Sequence, residues 1–456
     1  RSSLLAEGQE LLISKIAPPT QNSGALLSWE SLTSSLPTNR VTVGTVSRSL
    51  MKLIQSGRAL ALWNDPDWMA SNQVAEAISE SQVALDKVHE ALAGNPVSQA
   101  LSYHEGEDAL ISHLKHVQVL QEWLAWECLD QMKQGNHAGV LRGIESMGRL
   151  AGCLENDLLL VCQAWRIRIL SVRSRLAWAA LEMDGWSDTQ LERLQALLEP
   201  GMFSEGFAKM LQVERAIWDQ NFFKMAIMRF SDQPLDHLLE GEPEQMLHWI
   251  GFRAAWWRQD KWRSLVMYDH LIEAHQIGLA SNSLHWAEAH FWKVEEPGCI
   301  GIESWYDAMR YRTAHIVQHG AFNQLRISLN RLYEAETLRA LVSASVGIRR
   351  YRFRNQEQLP ENLTDVWKAL GVEGQQDALS GEPLRYLKGT DRDGWIVYST
   401  GKDAIDHGGD QTDRWGRAPD GQYRTSIWSS KDAVLPGVAT LQQIRSWQHA
   451  GENTIN

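Results

Sequence analysis

Residue types that could do chemistry concentrate in two parts of this chain, and both suggest cations. The stretch 398–410, YSTGKDAIDHGGD, followed shortly by Asp413, places Asp403, Asp406, Asp410 and Asp413 on one loop. Calcium takes about six to eight oxygen ligands and accepts irregular loops that mix carboxylates with carbonyls. Gly401, Gly408 and Gly409 would permit the positive φ values needed to wrap those acids round one ion. Without an ion, so many carboxylates at short range repel one another. The plainer alternative is a solvated acidic turn, and the spacing and terminal glutamate of an EF-hand are absent.

The second place is a repeated string, HLIEAH (His270, Glu273, His275) and HWAEAH (His285, Glu288, His290). Helical positions i and i+3 share a face, so His270 with Glu273, or His285 with Glu288, would each offer two ligands to a transition metal. The last histidine of each string stands about 140° round the helix from the first. Neither string is the HExxH of a metalloprotease, and the plainer alternative is chance in a His-containing helical region. SLMK gives Ser49 and Lys52 the SxxK spacing of serine acylases, but KGT at 388–390 follows in the wrong order for that class. There is no GxSxG, P-loop or dinucleotide fingerprint.

The elements that must position these residues are mostly helical. A chain of 456 residues exceeds one ordinary core and predicts two or three structural units. Its 44 basic and 56 acidic residues, net −12, argue against nucleic acid or an anionic lipid surface as a partner. Cys128, Cys153, Cys162 and Cys299 form no CxxC pair and are expected as buried thiols. The sequence contains no apolar run of about 18 residues, the length of a membrane span. It starts at Arg1, which is read as the point after a signal or anchor.

Residues 1–57, with the Ser/Thr/Pro-rich APPTQNSGALLSWESLTSSLPTNR, read as an extended arm. From 58 to 321 a helical period dominates. Leu158, Cys162, Trp165, Ile169, Val172, Leu176, Ala179 and Met183 make one apolar stripe, and Val140, Ile144, Met147, Ala151 and Leu154 another. Short turns between such helices predict hairpins of tetratricopeptide-like geometry, although no clean repeat is present. Ser187 and Gln190 have capping-box spacing for a helix ending at Pro200-Gly201. Many of the 21 tryptophans, among them Trp249, Trp256, Trp257 and Trp262, are expected in helix packing. Residues 322–430 read as a long helix to Arg354 followed by strands in PLRYL, GWIVYST and YRTSIW. Residues 431–456 read as a tail with a short helix.

Three blocks between 340 and 410 carry a family resemblance: ALVSASVGIRRYRFRNQEQLPENLTDV, DALSGEPLRY and DGWIVYSTGKDAIDHGGD. They resemble the C-terminal region of uncharacterised membrane-anchored proteins of Planctomycetes and Verrucomicrobia. They also look like the globular head of the type II secretion major pseudopilins, in which a long helix precedes a small sheet and a calcium loop. The resemblance implies a structural calcium held by Asp403, Asp406, Asp410 and Asp413, and an extracytoplasmic (periplasmic) chain anchored in the membrane upstream of Arg1. The sequence departs from the pattern at Ala378, where proline is usual, and in RNQEQLP, which lacks the expected glycine and tyrosine. No prepilin-type segment precedes the head, so pilin-like polymerisation is not implied.

The combined expectation is a mainly α protein: an irregular α-helical array, then a long helix and a small antiparallel β-meander forming an α+β, pseudopilin-like head. Its expected role is a non-enzymatic scaffold whose partner is a protein, whether a membrane complex or a second copy of the chain. The alternative is a hydrolase with a His/Glu site in a groove of the array.

Overall fold

The computed structural model describes residues 29–34, 36, 69–94, 101, 103, 111–198, 203–231, 257–295, 305–389, 394–410 and 427–435. Within them the chain is mainly helical, with one small antiparallel sheet. Of the predicted arm only 29–34 and 36 are among the described residues, and they hold the short helix α1 (Trp29–Thr33), whose Trp29 and Leu32 are buried. The array begins with α2 (Met69–Ala93), α3 (His113–Lys133) and α4 (His137–Cys153). The turn between α3 and α4 works because Gly135 takes φ 69° and Asn136 caps α4, accepting from the Gly139 N–H at 3.2 Å.

The predicted stripe becomes α5 (Leu160–Ala180), the helix around which the array is organised. It packs on α3, on α4, on α7 (Phe203–Ser231) and on the long α10 (Trp305–Arg354). A helix flanked on several sides needs apolar residues round most of its circumference, and Cys162, Ile167, Leu170 and Val172, spread over different faces, are accordingly closed to solvent. Cys128, Cys153 and Cys162 are thiols in no disulfide, buried as expected, and Cys299 lies outside the described residues. Burial pushes the thiols of Cys128 and Cys162 well above the ordinary cysteine range.

The capping box forms at α6 (Asp188–Leu197): the Ser187 hydroxyl accepts from Gln190 N–H at 3.2 Å, and the Gln190 carboxamide accepts from Ser187 N–H at 3.0 Å. Such a cap stabilises by about 1 kcal/mol. Buried Arg350 of α10 fastens α6, donating to Asp188 at 3.0 Å, Gln195 at 2.9 Å and Glu192 at 2.6 Å, and Arg354 adds a second guanidinium on Asp188 at 2.7 Å. Partial desolvation works against the Asp188 charge, but the bonds from Arg354 and Arg350 outweigh it and hold its pKa below the usual value.

The hairpin α8 (Trp257–Ser281) and α9 (Leu284–Glu295) packs on α7 and touches α10. Gly278 lets it approach: a Cβ there would collide with the Tyr333 hydroxyl and come within 2.9 Å of Ala287. The long helix begins at Trp305, so the predicted junction at 321/322 falls within one continuous helix.

The head continues with α11 (Leu363–Leu370), which the sequence reading leaves unassigned although Asn362 caps it and Gly371 ends it at φ 68°. Strands β1 (Arg385–Lys388) and β2 (Trp395–Ser399) pair antiparallel with Arg385 opposite Tyr398. The third strand differs from expectation. β3 (Ala433–Val434) pairs with β2, Ser399 opposite Ala433, while Ile427 and Trp428 of YRTSIW lie with Ser429 in a 3₁₀ turn and 423–426 lie outside the described residues. The aromatic pattern alone pointed to 423–428; β3 instead follows directly on Asp432, whose carboxylate accepts from N–H groups of the 407–410 loop. Among the described residues no helix is long and apolar enough to cross a membrane.

Candidate functional site

The centre of the head is Asp377, the first residue of DALSGEPLRY, which the sequence reading did not single out. Its buried carboxylate accepts from Ser380 and Ser399 hydroxyls at 2.8 Å each, Thr400 at 3.5 Å, Thr337 of α10 at 3.2 Å and Leu379 N–H at 3.0 Å. Burial raises its pKa, and these donors pull it part of the way back. The neighbouring carbonyls of Ala378 and Leu379 accept from the N–H groups of Leu284 and His285 at the start of α9. One aspartate therefore ties the sheet to the long helix, and the segment around it engages the α8–α9 hairpin.

The acidic loop is organised by another residue outside the predicted set. Buried Asp432 accepts from the N–H groups of His407 at 3.3 Å, Gly409 at 2.8 Å and Asp410 at 3.0 Å, a bowl that Gly408 (φ 69°) and Gly409 (φ 79°) make possible. Desolvation lifts its pKa and the three N–H bonds oppose the rise. Asp403 caps Ile405 N–H at 3.1 Å. Asp406 accepts from Tyr398 at 3.0 Å and from Gly408 N–H at 2.9 Å, with Arg385 at 3.6 Å, and Asp410 pairs with Lys431 at 2.8 Å. Asp413 lies outside the described residues. Asp403, Asp406 and Asp410 do not bring one oxygen each within 4.8 Å of one another.

The His/Glu strings behave unlike their sequence symmetry. His270 and Glu273 of α8 converge with His290 of α9, one donor atom from each within 4.8 Å of the others. His285 sits by the hairpin turn, edge-on to Trp286, and neither it nor Glu288 joins that group. His275 is fully buried against Phe207 and Tyr333. Ser49 and Lys52 lie outside the described residues.

Folding brings together a constellation that no motif announces. His89 of α2 bonds Ser146 of α4 through Nδ1 and Glu127 of α3 through Nε2, both at 2.6 Å. Arg142 completes the chain from Glu127, at 2.9 Å, to Asp86, at 2.8 Å. Serine, histidine and carboxylate in series resemble a nucleophilic triad. Ser146, His89 and Glu127 are all buried, however, so in this arrangement they bracket three helices.

A cleft of about 460 Å³ lies between α5 and α10 where the head meets the array. Trp165, Ile167, Val172, Leu338 and Trp428 give it apolar walls, and Arg168, Arg175 and Arg331 give it charge. Glu334, the one lining carboxylate among the described residues, is paired to Lys402 at 2.7 Å. The Arg168 guanidinium lies 4.7 Å from the Trp165 ring centroid, and its buried Nε has no hydrogen-bond partner. Desolvation lowers the pKa of Arg168, Glu122 opposes that, and the charge of Arg331 lowers it further. Desolvation, opposed by Glu334, brings Arg175 down to about 10, which still leaves it charged at neutral pH. Partly dehydrated guanidinium groups beside indole rings suit an anion attached to an apolar body.

Fold and site thus define a helical protein with a small sheet-bearing head and an arginine–tryptophan cleft at their junction. No protein-family model matches the chain, and no curated protein or solved structure matches it either.

Proposed function

We propose that this chain is a non-enzymatic interaction protein whose cleft between α5 and α10 holds an acidic, apolar segment of a partner protein. The observation behind this reading is the cleft's composition: among the described residues, Arg168, Arg175 and Arg331 line it with the single carboxylate Glu334, set among Trp165, Trp428 and aliphatic side chains. Arginine and tryptophan in partly desolvated pockets are the residue types that dominate interface energies, and complementary charge adds selectivity. In this reading the stacked helices are a tetratricopeptide-like scaffold and the head is pseudopilin-like. Support comes from helices packing on their sequence neighbours and from the order long helix, small sheet, acidic loop. The family resemblance supports an extracytoplasmic place and a membrane anchor upstream. Calcium on Asp403, Asp406, Asp410 and Asp413 belongs to the same proposal, as an ion added to a loop that Asp432 already closes.

The test is cross-linking capture of the chain from native membranes, beside the charge reversals Arg168→Glu and Arg175→Glu. A stable partner lost in both variants, with unchanged circular dichroism, is the expected result; recovery of the chain alone contradicts it. A hydrolase is the second reading, favoured by the bonded series Ser146–His89–Glu127. Covalent labelling of Ser146 by a fluorophosphonate would establish it, and the interaction reading expects none.

A further inference from the structure

The geometry points to a zinc-type transition-metal site on the outer face of the α8–α9 hairpin, formed by His270, Glu273 and His290. Glu273 Oε2 lies 3.7 Å from His270 Nδ1 and 3.2 Å from His290 Nε2. Ligands about 2.0–2.1 Å from a tetrahedral zinc stand about 3.3–3.4 Å from one another, between the two distances seen here. Both nitrogens are shut off from solvent, and neither makes a hydrogen bond to any group. Two imidazole nitrogens thus face one carboxylate oxygen without bonding to it, an arrangement that a shared cation would complete. The rings are tilted by 50° with centroids 6.4 Å apart, so they approach the common point from different directions.

The backbone explains the arrangement. His270 and Glu273 share a face of α8, and the tight return through Asn282, at φ 48°, with the Ser283 hydroxyl facing the Trp286 N–H at 3.4 Å, sends α9 back along that face so that His290 meets them. Two imidazoles and one carboxylate favour zinc-like ions over calcium or magnesium, which prefer oxygen shells. Three protein donors leave one tetrahedral position for water or for a carboxylate or imidazole from a second molecule. The half-exposed Glu273, with His270 and His290 each about a third open or less, gives the ion a path from solvent. The other such cluster among the described residues, His113, Asp157 and Cys162, is wholly buried, and His113 already bonds Asp157 at 3.1 Å.

This inference stands apart from the proposed partner cleft and is tested separately. Chelator-treated full-length protein is titrated with Zn²⁺ by calorimetry, and Co²⁺ serves as a spectroscopic probe of coordination. One equivalent should bind. His270→Ala and His290→Ala should each weaken binding at least about tenfold, as should Glu273→Gln, with His285→Ala unchanged. Acidification should release the metal, because the imidazoles bind it only when neutral. His290→Gln, at a partly exposed position, is the companion variant should an alanine variant misfold; it should abolish the Co²⁺ visible band while the far-ultraviolet spectrum stays native. No zinc binding by the wild type, retained affinity in the His270/His290 double variant, or equal loss in His285→Ala would overturn the assignment.

Discussion

Replacing Asp377 by alanine should be among the most damaging single changes in the head. The carboxylate is 1% exposed and accepts from four hydroxyls and one backbone N–H, at 2.8 to 3.5 Å. A buried donor left unpaired costs about 1–3 kcal/mol. Hydroxyls of Ser399 and Thr400 can rotate towards other acceptors, whereas Leu379 N–H is fixed, so roughly three stranded donors are a fair count and the loss comes to about 3–5 kcal/mol. Asp377→Asn retains an oxygen for Thr337 and Leu379 but turns an NH₂ towards Ser380, Ser399 and Thr400; about 2–3 kcal/mol follows. Denaturant unfolding followed by tryptophan fluorescence measures both, and hydrogen exchange over 377–401 shows where protection is lost. The pH dependence has a definite sign. Because burial raises the folded pKa, the wild type's contribution from this group is fully present below the unfolded value near 4 and declines as pH rises through the folded value. The wild-type advantage over Asp377→Asn should therefore be smaller at pH 7 than at pH 4. A loss below about 1 kcal/mol for alanine, or a cost spread evenly over distant helices, would refute this account of how the head is joined.

Asp188 should behave with the opposite sign. Its pKa is depressed, so the stability from Arg350 and Arg354 is complete above about pH 4 and is lost as pH falls through the folded value; the gap between wild type and Asp188→Asn in urea melts should close on acidification. Gly278→Ala should destabilise by about 1–3 kcal/mol by forcing α8 away from Tyr333 of α10 and Ala287 of α9, and a melting temperature equal to wild type would contradict that packing. Calcium should raise the melting temperature of chelator-treated protein, with the increment lost in Asp406→Asn; identical melts with and without chelator would remove calcium from the proposal.

The helices were legible because burial imposes a period. The stripe from Leu158 to Met183 and the Ser187/Gln190 cap both became structure within a few residues of their predicted ends. The small sheet was legible in part: β1 and β2 carry an aromatic and aliphatic pattern, whereas the two-residue β3 follows directly on Asp432, whose carboxylate accepts from N–H groups of a distant loop. The acidic residues drew attention by clustering, while Asp377 and Asp432, which bear the hydrogen bonding, stand alone in sequence and gain their donors only on folding. His290 joins His270 and Glu273 through the hairpin return, which periodicity cannot specify. The cleft was not legible, since Arg168, Arg175 and Arg331 come from two helices more than a hundred positions apart.

The most direct test of the central claim is capture of a partner through the cleft. Zero-length cross-linking in native membranes, with wild type and Arg175→Glu compared at equal expression, should yield a defined adduct to an acidic partner segment in the wild type that Arg175→Glu abolishes. An adduct of equal strength in both, or no adduct in either, would contradict the reading of the arginine–tryptophan cleft as a protein-binding site.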